Sequence, residues 1–121
     1  MTIIDAINRI DSLKPNGYTQ SDKVKWLGGL DGRIHAEVID LYEGGAEYAE
    51  YTDETPITKE LLVKSPYDEV YLYWLEAQID YWNGEYAKYN NSMDMFNTAY
   101  DAFAKHYNRT HKHKTTKFKF F

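Results

Sequence analysis

An all-α fold is what the sequence predicts: a small bundle of about four helices with a long acidic loop and an extended C-terminal tail. Three apolar stripes at steps of 3 and 4 carry that expectation, the spacing of helix faces turned toward a common core. The longest is Leu72, Leu75, Ile79, Trp82, Tyr86, Tyr89, Met93, Phe96, Tyr100, Phe103 and Tyr107, with no proline between its rungs. The second is Leu27, Leu30, Ile34, Val38 and Leu41, and the third is Ile3, Ile4, Ile7, Ile10 and Leu13.

A chain of 121 residues has the size of one domain. Its apolar content is aromatic in kind, with 12 Tyr, 5 Phe and 3 Trp, residues suited to surfaces that a partner covers. With no cysteine, disulfides and thiol chemistry are excluded and a structural zinc site is disfavoured. No stretch reaches the roughly 20 apolar residues that span a bilayer. The first residues lack the basic and apolar regions of a signal peptide, so the sequence predicts an intracellular protein with no membrane partner. Net charge is −5, yet residues 106–121 carry Arg109, Lys112, Lys114, Lys117 and Lys119 and no acid. The preceding residues therefore carry −10, and an acidic body argues against nucleic acid as the principal ligand.

Taken in order, the first helix is expected over 3–13, capped by Thr2 with Asp5 in capping-box spacing and ended by Pro15-Asn16-Gly17. The second is expected over 22–43, capped by Ser21 or Asp22 and stopped by Gly44-Gly45. Gly28, Gly29 and Gly32 lie inside it, each costing about 1 kcal/mol against Ala. They signal close packing against another helix or a break near 28–32. Residues 44–65 read as an irregular, solvated acidic loop with Glu47, Glu50, Asp53 and Glu54, and Ile57, Leu61, Leu62 and Val63 as a short strand or turn on the bundle. Ser65-Pro66-Tyr67-Asp68 reads as N-cap, first helical residue and capping-box acid, opening a third helix over 66–83. A single helix from 66 to 107 would leave its aromatic face uncovered, so the pattern favours a turn within 83–92, at Asn83-Gly84 or at Asn90-Asn91, and a fourth helix over 91–107. The helical domain thus covers 1–108. Residues 109–121 are a basic, aromatic tail, frayed or docked on a neighbouring chain, since a lone alternating segment has no strand to pair with.

Residue types that carry chemistry are sparse. His106, His111 and His113 form the only histidine cluster and read as solvated, without the spacing of a metal site. Glu76, Asp80 and Glu85 could serve a metal-dependent hydrolase, but no Glu-x-x-His companion accompanies them, and a solvated face is the simpler account. The sequence therefore predicts no catalytic residue, no cofactor and no metal. Its candidate functional residues are partner-binding: Tyr89, Tyr100, Tyr107 and Arg109, the tail residues Lys117, Phe118, Lys119, Phe120 and Phe121, and the acidic loop residues Glu47, Glu50, Asp53 and Glu54.

Glu60-Leu61-Leu62-Val63, Pro66-Tyr67-Asp68-Glu69-Val70-Tyr71, Trp74-Leu75-Glu76-Ala77-Gln78-Ile79-Asp80, Glu85-Tyr86-Ala87-Lys88-Tyr89-Asn90-Asn91 and Tyr107-Asn108-Arg109-Thr110-His111 resemble the small head–tail connector (adaptor or head-completion) proteins of tailed phages and prophages of Gram-positive bacteria. The resemblance spans roughly residues 1–111, and the last ten residues lie outside it. It implies a non-enzymatic subunit of the virion neck, assembled in the host cytoplasm into a homo-oligomeric ring. The implied partners are the portal protein above and a tail-side neck protein below, with DNA passing through unbound. The tail would grip the portal or the next subunit, and the acidic loop would face the lumen or the tail proteins. The alternative is a small helical interaction or regulatory protein encoded by a mobile element, its acidic body set against a basic partner.

Overall fold

A computed structural model of the chain describes residues 1–114. Helix α1 (Ile3–Leu13) begins at a complete capping box, in which Thr2 accepts from the Asp5 N–H and the Asp5 carboxylate accepts from the Thr2 N–H. Helix α2 (Gln20–Glu37) opens with the same device one motif earlier than the sequence suggests, with Thr19 as cap and Asp22 as its partner. It stops at Val38, six residues short of the glycine pair, and tightens into a 3-10 turn over Ile39–Leu41. Val38, Ile39 and Tyr42 are buried here, and Leu41 is exposed.

The third helix starts later than its local sequence indicates. Ser65–Pro66 is a cis peptide, residues 64–69 form turns, and α3 covers Val70–Trp82 with Glu69 at the cap position and no side-chain cap. Tertiary bonds override the local cap signal: the Leu62 N–H donates to Asp31 and the Val63 N–H to the Tyr71 hydroxyl, which fixes the path of the chain ahead of the helix. The turn falls at Asn83-Gly84, where Gly84 adopts φ +75°, a conformation that costs glycine little. Helix α4 then runs over Tyr86–Thr110, so Asn91 is helix interior rather than a cap, and residue 108 marks no structural boundary.

The antiparallel α3–α4 hairpin lies on α1 and α2. Ile3, Ile7, Ile10, Leu27, Leu30, Ile34, Leu75, Ile79, Phe96 and Phe103 share one core. At the α2–α4 contact the Arg33 guanidinium lies over the Tyr100 ring at 4.9 Å, and α3 is tied to α2 by the Trp74 indole N–H, which donates to the Trp26 carbonyl at 2.8 Å. Two buried charges hold the end of the bundle where α1 meets the hairpin. Lys23 donates to Asp11 (2.7 Å) and to the Tyr18 carbonyl (3.0 Å). Asp80 is fully enclosed, paired with Lys14 and bonded by the Ser92 hydroxyl at 2.9 Å. The solvated face expected for Glu76 and Asp80 is therefore not found at Asp80, because α4 closes over it.

The long loop is irregular but anchored at several points. Residues 57–61 run antiparallel to the first residues of the chain, with Ile3 N–H to Lys59 carbonyl at 3.0 Å and Leu61 N–H to Met1 carbonyl at 3.0 Å. Tyr48 and Tyr51 descend on the glycine face of α2, where Tyr48 donates to the Gly28 carbonyl at 2.6 Å. The helix is unbroken there. A Cβ on Gly28 would meet Tyr51 Cβ at 3.0 Å, whereas one on Gly29 meets nothing, so the close packing is against loop tyrosines and not against another helix.

The chain's start of the tail is also docked, on the chain itself. Glu43 N–H donates to the Lys112 carbonyl (2.8 Å) and Lys114 N–H to the Leu41 carbonyl (3.0 Å), giving residues 112–114 the strand partner the sequence does not reveal. Lys117, Phe118, Lys119, Phe120 and Phe121 lie outside the described residues.

Two neighbouring glycines should respond with opposite signs. Gly29→Ala should stabilise the protein by about 1 kcal/mol through helix propensity, while Gly28→Ala should lose that gain and more to overpacking; urea unfolding measures both. Removing Lys14 strands the Asp80 carboxylate, and Lys14→Ala should cost about 3 kcal/mol in the same assay.

Candidate functional site

The sequence-predicted site residues do not meet in one place. Tyr107 is buried, stacked on His111 at 3.6 Å and edge-on to Tyr42 at 5.2 Å. Tyr100 is half-buried under Arg33, and its hydroxyl donates to Glu37 at 3.3 Å. Burial, then the Glu37 charge, pushes its pKa up to about 12. Tyr89 is half-buried against Tyr81 at 5.5 Å. Arg109 is exposed in the last turn of α4, where a cation suits the helix dipole. Glu47, Glu50, Asp53 and Glu54 are exposed as expected, although Asp53 is held by the Ser21 hydroxyl at 2.6 Å. The aromatic face of α4 is thus largely closed by the chain's own α2, α3 and loop, with Phe96 and Phe103 in the core.

What stays open lies at the tip of the hairpin. Trp82 is 60% exposed and Tyr86 61% exposed, with Tyr81 also exposed beside them. These rings touch one another: Tyr81 lies 5.2 Å from Trp82 edge-on and 6.0 Å from Tyr86. Leu13, at the end of α1, is exposed as well. The end carries structural support, since Tyr18 donates to the Asn83 side chain at 2.7 Å and the Lys14–Asp80 pair lies just beneath. An exposed aromatic group on a braced helix end is suited to burial by a partner, because rigid rings lose little entropy on binding.

The signal that would have found it is Tyr81-Trp82-Asn83-Gly84-Glu85-Tyr86. The two rungs that flank this turn, Trp82 and Tyr86, are left exposed, while Leu75, Ile79, Phe96 and Phe103 farther along the same ladder reach the core.

A second cluster is buried and structural. The Asp31 carboxylate accepts from the Tyr51 hydroxyl, from the Tyr71 hydroxyl at 2.5 Å and from the Leu62 N–H at 3.1 Å. Burial raises the Asp31 pKa against the effect of those three donors, and burial beside the same carboxylate raises both tyrosines well above their ordinary range. Neither tyrosine ionises at working pH, so both remain donors.

Among the described residues no group of three or more His, Asp or Glu side chains is placed to hold a metal ion, and no helix is long and apolar enough to cross a membrane. No known family model, curated protein or solved structure matches this chain.

The raised Asp31 pKa fixes the sign of a pH effect. The folded state holds that proton more tightly than the unfolded chain, so this contribution to stability is complete below the ordinary value of 3.8 and is lost as pH rises through the raised one. Comparing urea unfolding of wild type and Asp31→Asn from pH 4 upward, the advantage of the wild type should shrink with rising pH. An advantage that grows would contradict the assignment. Tyr71→Phe, which strips a donor from Asp31 and an acceptor from Val63, should cost about 1–3 kcal/mol.

Proposed function

We propose that this protein is a structural assembly subunit: a head–tail connector (adaptor or head-completion) protein that forms a ring beneath the portal of a tailed phage or prophage and joins capsid to tail. On this reading it catalyses nothing and holds no cofactor. Its partners are the portal protein, a tail-side neck protein and further copies of itself, and DNA passes through the ring without specific contacts. It acts in the virion neck after assembly in the host cytoplasm.

Two lines support the reading. One is the resemblance of the segments spread over residues 60–111. The other, which carries it, is the braced aromatic end formed by Tyr81, Trp82 and Tyr86. Large rings left in water at a rigid helix end contribute little to a solitary subunit and a great deal to an interface. The acidic exterior of the loop, with Glu47, Glu50, Asp53 and Glu54, would repel DNA from any surface it lines.

Size-exclusion chromatography with light scattering, with and without the portal protein, tests the proposal. The chain should run as a monomer or weak oligomer alone and join a ring when portal is present. A double variant, Trp82→Ser with Tyr86→Ser, should keep its unfolding free energy within about 0.5 kcal/mol, as surface substitutions do. It should lose at least about tenfold in assembly with portal, the scale of one hot-spot aromatic. A chain that stays monomeric beside portal, or a double variant that assembles like wild type, overturns the reading.

A further inference from the structure

Among the described residues the exposed Tyr, Trp and Phe side chains are Tyr81, Trp82 and Tyr86, and all three stand at the tip of the α3–α4 hairpin. Tyr81 joins them, within 5.2 Å of Trp82 and 6.0 Å of Tyr86, and it reaches the half-buried Tyr89 at 5.5 Å. Leu13, Asn83 and Gly84 are exposed at the same end of the bundle.

The charges flanking the rings are already neutralised inside the subunit. Glu85 pairs with Lys88 at 3.3 Å, and Lys14 pairs with Asp80. These pairs leave the patch without net charge on a chain whose total is −5. That balance selects the occupant. A basic protein finds its counter-charges in the exposed loop acids Glu47, Glu50, Asp53 and Glu54 and gains none from the rings. A second copy carries the same negative total, so it is repelled from the acidic faces and can approach where charge is balanced. Interfaces between identical chains are the more apolar ones, with charged residues depleted at their centre. The patch has that composition.

Its size fits the same occupant. About half of each ring's roughly 200 Å² lies in water, and Leu13 with the turn residues brings the exposed area to about 500 Å². Two such patches together reach about 1,000 Å², the lower edge of a specific interface and the size of a weak one.

We propose that two copies of this chain meet end to end, covering the Tyr81, Trp82 and Tyr86 rings of each with those of the other. The contact is two-fold: the same rings serve on both sides, so pairing closes at two copies. It rests on the reading of this end as an interface and names what covers it in the free protein. One patch cannot hold a copy and another partner at once, so assembly with any other protein through these rings displaces the copy.

The test uses the full chain alone, so its outcome is separate from that of the portal experiment. Sedimentation equilibrium should show a monomer–dimer equilibrium with a dissociation constant on the order of 10–500 μM. Of the chain's three Trp, Trp26 and Trp74 are half-buried within the bundle. With 5-fluorotryptophan incorporated, the Trp82 fluorine resonance, assigned through Trp82→Phe, should move as dimer forms while the other two stay in place. Trp82→Ser with Tyr86→Ser should weaken dimerisation at least about tenfold with far-UV circular dichroism unchanged. A chain still monomeric at about 1 mM, a dimer whose Trp82 resonance does not move, or a double variant that pairs like wild type overturns the proposal. So does association that continues past the dimer, which would seat the rings on a different surface of the next copy.

Discussion

One buried carboxylate organises much of this protein. Asp31 sits in the middle of α2 and receives Tyr51 from the long loop, the Leu62 N–H from the segment before α3, and Tyr71 from α3 itself. Tyr71 in turn accepts from the Val63 N–H. An isolated carboxylate in such a place would be costly. With three donors converging it becomes a junction, and each donor comes from a different stretch of chain. The irregular residues between the 3-10 turn and α3 have no helix or sheet of their own to satisfy their backbone, and this junction is one of the points where they are fastened to the bundle, beside the pairing of 57–61 with the first residues and Tyr48 on Gly28.

The same arrangement explains the glycines of α2. Tyr51 reaches Asp31 and Tyr48 reaches the Gly28 carbonyl only because Gly28 and Gly32 present bare backbone to them, with contacts of 3.0–3.5 Å from where a Cβ would stand. Poor helix propensity at those positions is the counterpart of a tyrosine-lined lid over the helix. Gly29, one residue on, faces open space and contributes nothing to that fit.

How much of this was legible follows from which interactions are local. The helix over 3–13 could be read because stripe, cap and stop residues agree within a few positions of one another, whereas the hairpin turn stayed open between Asn83-Gly84 and Asn90-Asn91, either of which could break the ladder, and α4 begins at Tyr86 rather than at 91. The onset of α3 could not, since Ser65-Pro66-Asp68 is a sound local cap and only the bonds at Leu62 and Val63 displace it. Asp31 gave no sign of its role: an acid at one helix position looks solvated until residues 20 and 40 places away are known to meet it. Tyr107 and Phe103 were legible as apolar face but not as core, because periodicity says which residues share a side and not what covers that side. Trp82 and Tyr86 belong to the same ladder in sequence, yet the turn between them leaves both in water.

The tethering of 1–4 to 57–61 and of 112–114 to 41–43 has a kinetic side. Helical proteins of this length ordinarily fold fast because their contacts lie close along the chain. Here the irregular middle can settle only once a beginning and a finish more than fifty residues distant have arrived, and each such encounter closes a large ring of polymer before any reward is collected. A molecule made of helices should therefore acquire its native state at the slower pace of mixed-topology domains.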